Sequence, residues 1–214
     1  MLKIRCGFAI FSAVVLGLST GAALGQTYPS KPIRIVTSGL GGSNDFLSRL
    51  VAQGVSGPLG QQVIVDNRPG VIALETVAKA APDGYTLLVI GTNLWIEPML
   101  RASASWDPLR DFAPITLAER SPQILVVHPP LPVKSVRDLI ALAKARPGEL
   151  NYGSTAVGNA SHLAAELFNV MAGIKIAHIP YKGTSPAFND LLSGQVQLVF
   201  GNPVAAIPTL RPGD

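Results

Sequence analysis

Two stretches of this sequence bring neutral hydrogen-bond donors together with glycine. The first is Ser38-Gly39-Leu40-Gly41-Gly42-Ser43-Asn44-Asp45, and the second runs from Asn151 to His162 as "NYGSTAVGNASH". Each follows a strand-like run and leads into an amphipathic stretch, so each reads as a strand–loop–helix element. Glycines let backbone approach a ligand closely, and the helix that follows offers unpaired N–H groups and a positive dipole end. That chemistry suits a small anion. A charged acceptor gains about 1.5–3 kcal/mol per hydrogen bond, and a helix N-terminus adds roughly 0.3–1 kcal/mol. A handful of such contacts reaches the approximately 8 kcal/mol of a micromolar complex. The first loop taken alone is equally a tight strand–helix turn capped by Ser43 or Asn44. The second loop favours binding, because Gly153, Ser154, Thr155, Gly158, Asn159 and Ser161 repeat the arrangement, with a helix starting near Asn159 or Ser161. Thr92, at the end of "YTLLVIGT", and Tyr181, at the end of "IKIAHIPY", join the candidate ligand-binding set.

Other chemistries fit less well. The first loop lacks the third glycine of a dinucleotide fingerprint and the Gly-Lys-Ser/Thr of a nucleotide P-loop. Ser154, His162 and an aspartate suggest a hydrolase triad, but no G-x-S-x-G elbow accompanies them. The three histidines, at 128, 162 and 178, have no paired metal-ligand spacing. His178, on an alternating run, reads as a satisfied histidine in or near the core. Lys182 either attracts a carboxylate or is simply solvated. No catalytic residue, metal or cofactor is expected.

The elements that must position these residues alternate along the chain. Strands are expected at Ile33–Val36, "QQVIVDN", "YTLLVIGT", "QILVVHP", "LNYGS", "IKIAHIPY" and "QVQLVFG". The third of these is apolar enough for a strand buried on both faces. Helices are expected between them. The first places Phe46, Leu47, Leu50, Val51 and Val55 on one face. Another opens on a capping-box-like Ser135 and Asp138, and a later one opens on Ser185-Pro186, with serine at the cap. Regular alternation predicts an α/β fold with mostly parallel sheets.

The leading residues point to export. Lys3 and Arg5 precede an apolar run from Phe8 to Leu18, followed by Ala23-Leu24-Gly25, a signal-peptide pattern. The apolar run falls short of the about 20 residues that span a membrane. Removing residues 1–25 takes the formal charge from +4 to +2 and removes Cys6, the single cysteine. Disulfides and thiolate chemistry are thereby excluded, and the absence of basic runs argues against nucleic acid. With 48% hydrophobic and 14% charged residues, the chain can bury a sizeable core. The remaining length suggests two domains, residues 26–122 and 123–214, since one typically holds about 100–150 residues.

The motifs "YPSKPIRIV", "GG..D" before a helix, "DNRPG", "AAPDGYTLL", "DPLRDFAPIT", "LNYGS", "HLAAELF" and "IPYKG.SPA..DLLSGQVQ" occur in this order. Together they resemble the extracytoplasmic solute receptors of tripartite tricarboxylate transporters, the Bug family, from Tyr28 to about Leu210. The resemblance implies a periplasmic-binding-protein fold, two α/β domains around a cleft. It implies a periplasmic, monomeric receptor that takes a small carboxylate and delivers it to membrane permease subunits. It places the carboxylate against residues 38–45 and 153–161, partly through water, and puts Asn202 at a polar cleft position. Three departures stand out. Thr37 to Leu40 replace a proline–aromatic edge, "VIALE" follows Gly70 where relatives are glycine-rich, and relatives continue past Asp214 with strands returning to the first domain. The last departure implies a missing C-terminal part.

The alternatives are an exported α/β hydrolase-like enzyme and a non-functional truncated remnant of a receptor. Turnover assays separate the enzyme from the receptor, and ligand-induced thermal stabilisation separates the receptor from the remnant. N-terminal sequencing of protein recovered from the periplasm is expected to start at Gln26, and recovery with Met1 intact would contradict cleavage after Gly25.

Overall fold

The β-branched run Ile33–Thr37 forms β1, the centre of a three-stranded parallel sheet. The computed structural model describes residues 27–101 and 104–209, so the expected signal segment 1–25 and the closing residues 210–214 lie outside the described residues. The chain separates after Ser30 into a leading unit and a main unit, and all described helices and strands belong to the main unit. From β1 the chain runs through helix α1 (Ser43–Leu59) to β2 (Val63–Asn67), then through α2 (Val71–Ala78) to β3 (Thr86–Val89). The strand order is β2-β1-β3, all parallel. Ile33, Ile35, Val36 and Thr37 are buried because β1 has a neighbour on either side and helices packed against it.

Helix α3 (Asn93–Leu100) and an irregular passage lead to β4 (Ile124–Val127). Then follow α4 (Val136–Ala145), β5 (Asn151–Ser154), α5 (Ala160–Ala172), β6 (Ala177–Pro180), α6 (Thr184–Ser193), β7 (Leu198–Gly201) and the short α7 (Pro203–Ala206). The second sheet has the order β4-β7-β5-β6, with only β4 antiparallel to its neighbour. The segment from β5 to β7 repeats the β1-to-β3 plan: a central first strand, the second on one side and the third on the other. The α/β reading with mostly parallel sheets is therefore correct.

Period-two alternation in β7 sorts side chains to the two faces of the second sheet. Leu198 joins Leu139, Leu150, Tyr152 and Ile176 in one core, whereas Val199 joins Ala187, Phe188, Leu191 and Val196 in the other. Burying each large aliphatic side chain contributes roughly 1.5–3 kcal/mol. The buried Asn169 side chain satisfies the backbone of Ile176 in both directions, accepting from its N–H at 3.3 Å and donating to its carbonyl at 3.2 Å.

Several local expectations are corrected. The face of α1 that turns inward is Asp45, Ser48 and Ala52, while Phe46 and Leu50 are exposed. Small side chains let α1 lie close to β1 and β2, and Ser48 satisfies its own hydroxyl on the Asn44 carbonyl at 2.6 Å. Gly42, not Ser43 or Asn44, is the N-cap of α1. The cap of α6 is Gly183 rather than Ser185, because the Thr184 N–H at its first turn is taken by the Leu40 carbonyl at 3.1 Å. Strand β3 is only half-buried, as an outer strand among the described residues. The Ser135 cap stands: its hydroxyl accepts from the Asp138 N–H at 3.2 Å, and Asp138 accepts from the Lys134 N–H at 3.0 Å.

Asp45 holds the first loop in place. It accepts from the Gly41 N–H at 3.2 Å and from Asn67 Nδ2 at 3.0 Å, and pairs with Arg49 Nε at 3.0 Å. Asn67 Nδ2 also donates to the Ser38 carbonyl at 2.9 Å. Burial alone would raise the carboxyl's pKa, but hydrogen bonds from Asn67, Gly41 and Arg49 outweigh it and hold it below the usual value. A depressed folded pKa means stability present above the unfolded pKa, about 3.9, and lost as pH falls through the folded one. Asp45→Asn is expected to lower stability by about 1–3 kcal/mol at neutral pH and to flatten the pH dependence of thermal melting below about pH 4. An acid melting profile unchanged by the substitution would refute this role.

Candidate ligand-binding cleft

In a parallel sheet of order 2-1-3, the connections leave the first and third strands in opposite directions. This opens a crevice at their carboxyl ends. Both sheets contain such a point, between β1 and β3 and between β5 and β7. The loops that leave these four strands line a single cleft of about 490 Å³.

From the first sheet, Ser38, Gly39, Gly42, Ser43 and Asn44 enter the cleft after β1, and Thr92 enters after β3. Asn44 Nδ2 donates to Ser38 Oγ at 3.2 Å, which fixes both side chains on the rim. From the second sheet, Ser154, Thr155, Asn159 and Ser161 enter after β5, and Asn202 enters after β7. Asn159 caps α5: its Oδ1 accepts from the His162 N–H and from Ser161 Oγ, both at 2.9 Å. Asn202 caps α7 with its Oδ1 on the Ala205 N–H at 3.1 Å. Eleven of the sixteen expected residues therefore line one cleft.

The remaining five are placed elsewhere. Gly41 and Asp45 line a second depression beside Phe46, Arg49 and Phe188. Gly153 is packed, with Tyr181, Val199 and Ala187 all 3.2–3.4 Å from where its Cβ would stand. Gly158 approaches Ile96 and Leu100, and its carbonyl accepts from Thr92 Oγ1 at 3.2 Å. The Tyr181 hydroxyl donates to Asp190 at 2.7 Å, and burial, with that carboxylate beside it, pushes the phenol up to about 12. Lys182 is exposed and does not line the cleft.

Sequence reasoning missed Trp95, half-exposed at the start of α3, and Thr116, Glu119, Ser121 and Gln123 from the irregular passage before β4. That passage has no hydrophobic periodicity to read. Its signal was the cluster of polar residues between Pro114 and Ile124. Among the described residues, Glu119 is the only lining residue with a formal charge. The cleft is thus furnished with neutral donors and with the opening turns of α1, α5 and α6. Among the described residues, no group of three or more His, Cys, Asp or Glu is placed to hold a metal.

Behind Ser154 lies a polar cluster. Ser154 Oγ sits 2.7 Å from His178 Nε2, so the serine's histidine partner is His178 and not His162. The His178 ring stacks on Tyr152 at 4.9 Å and meets the His162 ring at 4.6 Å. The Tyr152 hydroxyl donates to Glu166 Oε1 at 2.6 Å. Burial, and then His162, lower the pKa of His178.

A family model described as "Tripartite tricarboxylate transporter family receptor" matches residues 47–214. Protein BugT of Bordetella pertussis is 40% identical over 88% of this chain and 60% of its own length. Among solved structures, an R. palustris protein with adipate is 40% identical with a TM-score of 0.78, covering 85% of this chain and 62% of that one. MatC from Rhodopseudomonas palustris with bound malate is 28% identical with a TM-score of 0.80, covering 86% and 64%. The chain spans about 60% of the length of the curated relatives it matches. Sequence and fold agree with these proteins, and the chain belongs to the receptor family of the tripartite tricarboxylate transporters.

Proposed function

We propose that this chain is the ligand-capturing part of a periplasmic receptor that takes a small dicarboxylate and passes it to the membrane permease of a tripartite tricarboxylate transporter. The observation that carries the reading is the cleft itself: about 490 Å³, lined by neutral donors and helix N-termini, with Glu119 but no Lys or Arg among its described lining residues. Helix dipoles and backbone N–H groups suit carboxylates without a neutralising cation. The volume falls in the range of small-ligand sites, about 300–1,000 Å³. The adipate and malate held by the two solved relatives supply the ligand class.

In this reading the two sheets are the cores of two lobes, residues 26–122 and 123–214, the receptor acts as a monomer, and it performs no turnover. Export through residues 1–25 places it in the periplasm. Among the described residues, no helix is long and apolar enough to cross a membrane. Ser38, Ser43, Asn44, Thr92, Thr155, Asn159, Ser161 and Asn202 are the proposed neutral contacts, with Ser154 at the centre of the second loop.

Two measurements test the proposal. Calorimetry and thermal-shift titration with malate and adipate are expected to show binding, with stabilisation of about 2.7 kcal/mol at a ligand concentration 100-fold above Kd. The corresponding neutral diamides should bind at least tenfold more weakly, and equal affinity for acid and amide would rule out an anion cleft. Ser154→Ala is expected to cost about 1–3 kcal/mol of carboxylate binding, whereas Lys182→Ala should change it by less than about 0.5 kcal/mol, as for other exposed positions. A larger loss in the lysine variant than in the serine variant would move the charge recognition outside the cleft.

A further inference from the structure

The Ser154 hydroxyl has one hydrogen and several claimants for it. Its Oγ lies 2.7 Å from His178 Nε2 and 3.5 Å from the Ala156 carbonyl oxygen, and the residue also lines the cleft. The short contact is a true hydrogen bond, and it runs in one of two directions. If His178 Nε2 carries a lone pair, the hydroxyl donates to it and, in a residue only 1% exposed at the cleft wall, leaves only oxygen lone pairs for a group in the cleft. If Nε2 carries a hydrogen, it donates to Oγ, and the serine's own hydrogen is released for another acceptor. A carboxylate offers acceptors alone. The first arrangement repels it, and the second holds it.

Resting on the dicarboxylate reading of the cleft, we propose that His178 is a positioning residue that sets the direction of the Ser154 hydroxyl, so that carboxylate binding selects the form of His178 protonated at Nε2.

The neighbours leave this proton as the free variable. His178 pairs with Tyr152 in the β5–β6 register, and its ring stacks on that tyrosine. The Tyr152 hydroxyl is already committed to Glu166. His162 Nδ1 accepts from the Gly158 N–H at 3.3 Å, so a neutral His162 carries its hydrogen on Nε2 and does not exchange roles while that bond holds. The titratable groups around His178 are therefore Tyr152 on β5 and His162 and Glu166 on α5. Burial, reinforced by His162, disfavours a second proton on His178. At neutral pH the change is then one of tautomer: a hydrogen leaves Nδ1 to solvent and another arrives at Nε2, with no net uptake. Both histidines lie behind the donor loop, so a change in the cleft is registered one residue away from the ligand. A bound group with N–H donors and no acceptor, such as an ammonium, would select the opposite tautomer, which makes the pair a discriminator between carboxylate and ammonium.

Imidazole nitrogen NMR on the full chain with 15N-labelled histidine reads this directly, the three histidine spin systems being assigned by single His→Gln replacements. In wild-type protein saturated with malate, and separately with adipate, at pH 7.5, His178 Nε2 is expected to be protonated and Nδ1 unprotonated. In Ser154→Ala, malate binding by calorimetry should weaken at least fivefold, and malate should no longer change the His178 nitrogens. A malate-saturated wild-type protein whose His178 Nε2 is unprotonated overturns the inference while leaving the carboxylate reading intact. So does a His178 response of equal size in Ser154→Ala. Calorimetry that detects neither malate nor adipate in wild type removes the carboxylate reading, and the inference falls with it. The wild-type spectra need no substitution in the cleft, so a poorly folding variant leaves the decisive measurement available.

Discussion

Backbone meets backbone where the loop after β1 touches the turn before α6, and the cleft depends on that contact. The Thr184 N–H donates to the Leu40 carbonyl at 3.1 Å. A Cβ at Gly39 would overlap the Lys182 carbonyl, and one at Gly183 would stand 2.9 Å from the Leu40 oxygen. No side chain fits between the two segments, so glycine is required on both sides for steric reasons. The same contact supplies the α6 helix with a partner for an N–H that its cap residue cannot satisfy. A second bridge, from Thr92 Oγ1 to the Gly158 carbonyl at 3.2 Å, joins the sheets on the β3 and β5 side. Between these bridges the four loops face one volume.

Apart from Glu119, charge around the cleft is kept out of its lining and used for scaffolding. Asp45 stands in the first turn of α1, at the end of the first glycine loop, and its carboxylate points to Gly41, Asn67 and Arg49. A second carboxylate beside Glu119 in the cleft would repel the anionic ligand proposed for it. Held behind the loop, it uses the same negative charge to order the N–H groups at the start of α1, where a helix dipole favours an acid. Arg49 completes the arrangement through Asn67 Oδ1 at 3.0 Å. Neutral donors face inward and the ion pair faces outward.

On the opposite wall the corresponding support is aromatic. Tyr152, His162 and His178 stack behind Ser154, and Glu166 is spent on the tyrosine hydroxyl. Stacking holds the imidazole against the serine without a carboxylate on the imidazole itself. The two walls thus solve one problem differently: the first orders backbone donors with a half-exposed ion pair, and the second orders a hydroxyl with a histidine.

The sequence by itself determined the alternation of strands and helices, because β-branched runs and 3.6-residue periodicity are local properties. It also proposed the loops at 38–45 and 153–161, most of whose residues line the cleft, because glycine and hydroxyl residues at a strand end before a helix constrain the backbone wherever that element sits. The Ser135 cap, with a side-chain oxygen at the right offset, was readable for the same reason, whereas the sequence left the start of α5 open between Asn159 and Ser161 and the structure puts the cap at Asn159. Tertiary structure decided the rest. Whether Asp45 met the ligand or the loop behind it depended on Asn67, 22 residues away. Whether Ser154 met His162 or His178 depended on the pairing of β5 with β6, which sets Tyr152 opposite His178. Tyr181 lost its place in the cleft to Asp190, and Trp95 and Glu119 gained theirs from segments without periodicity. Local pattern fixes which backbone is exposed at a strand end. Only the docking of one sheet's loops against the other's fixes which side chains share a volume, because the contacts that choose between them join residues far apart in the chain.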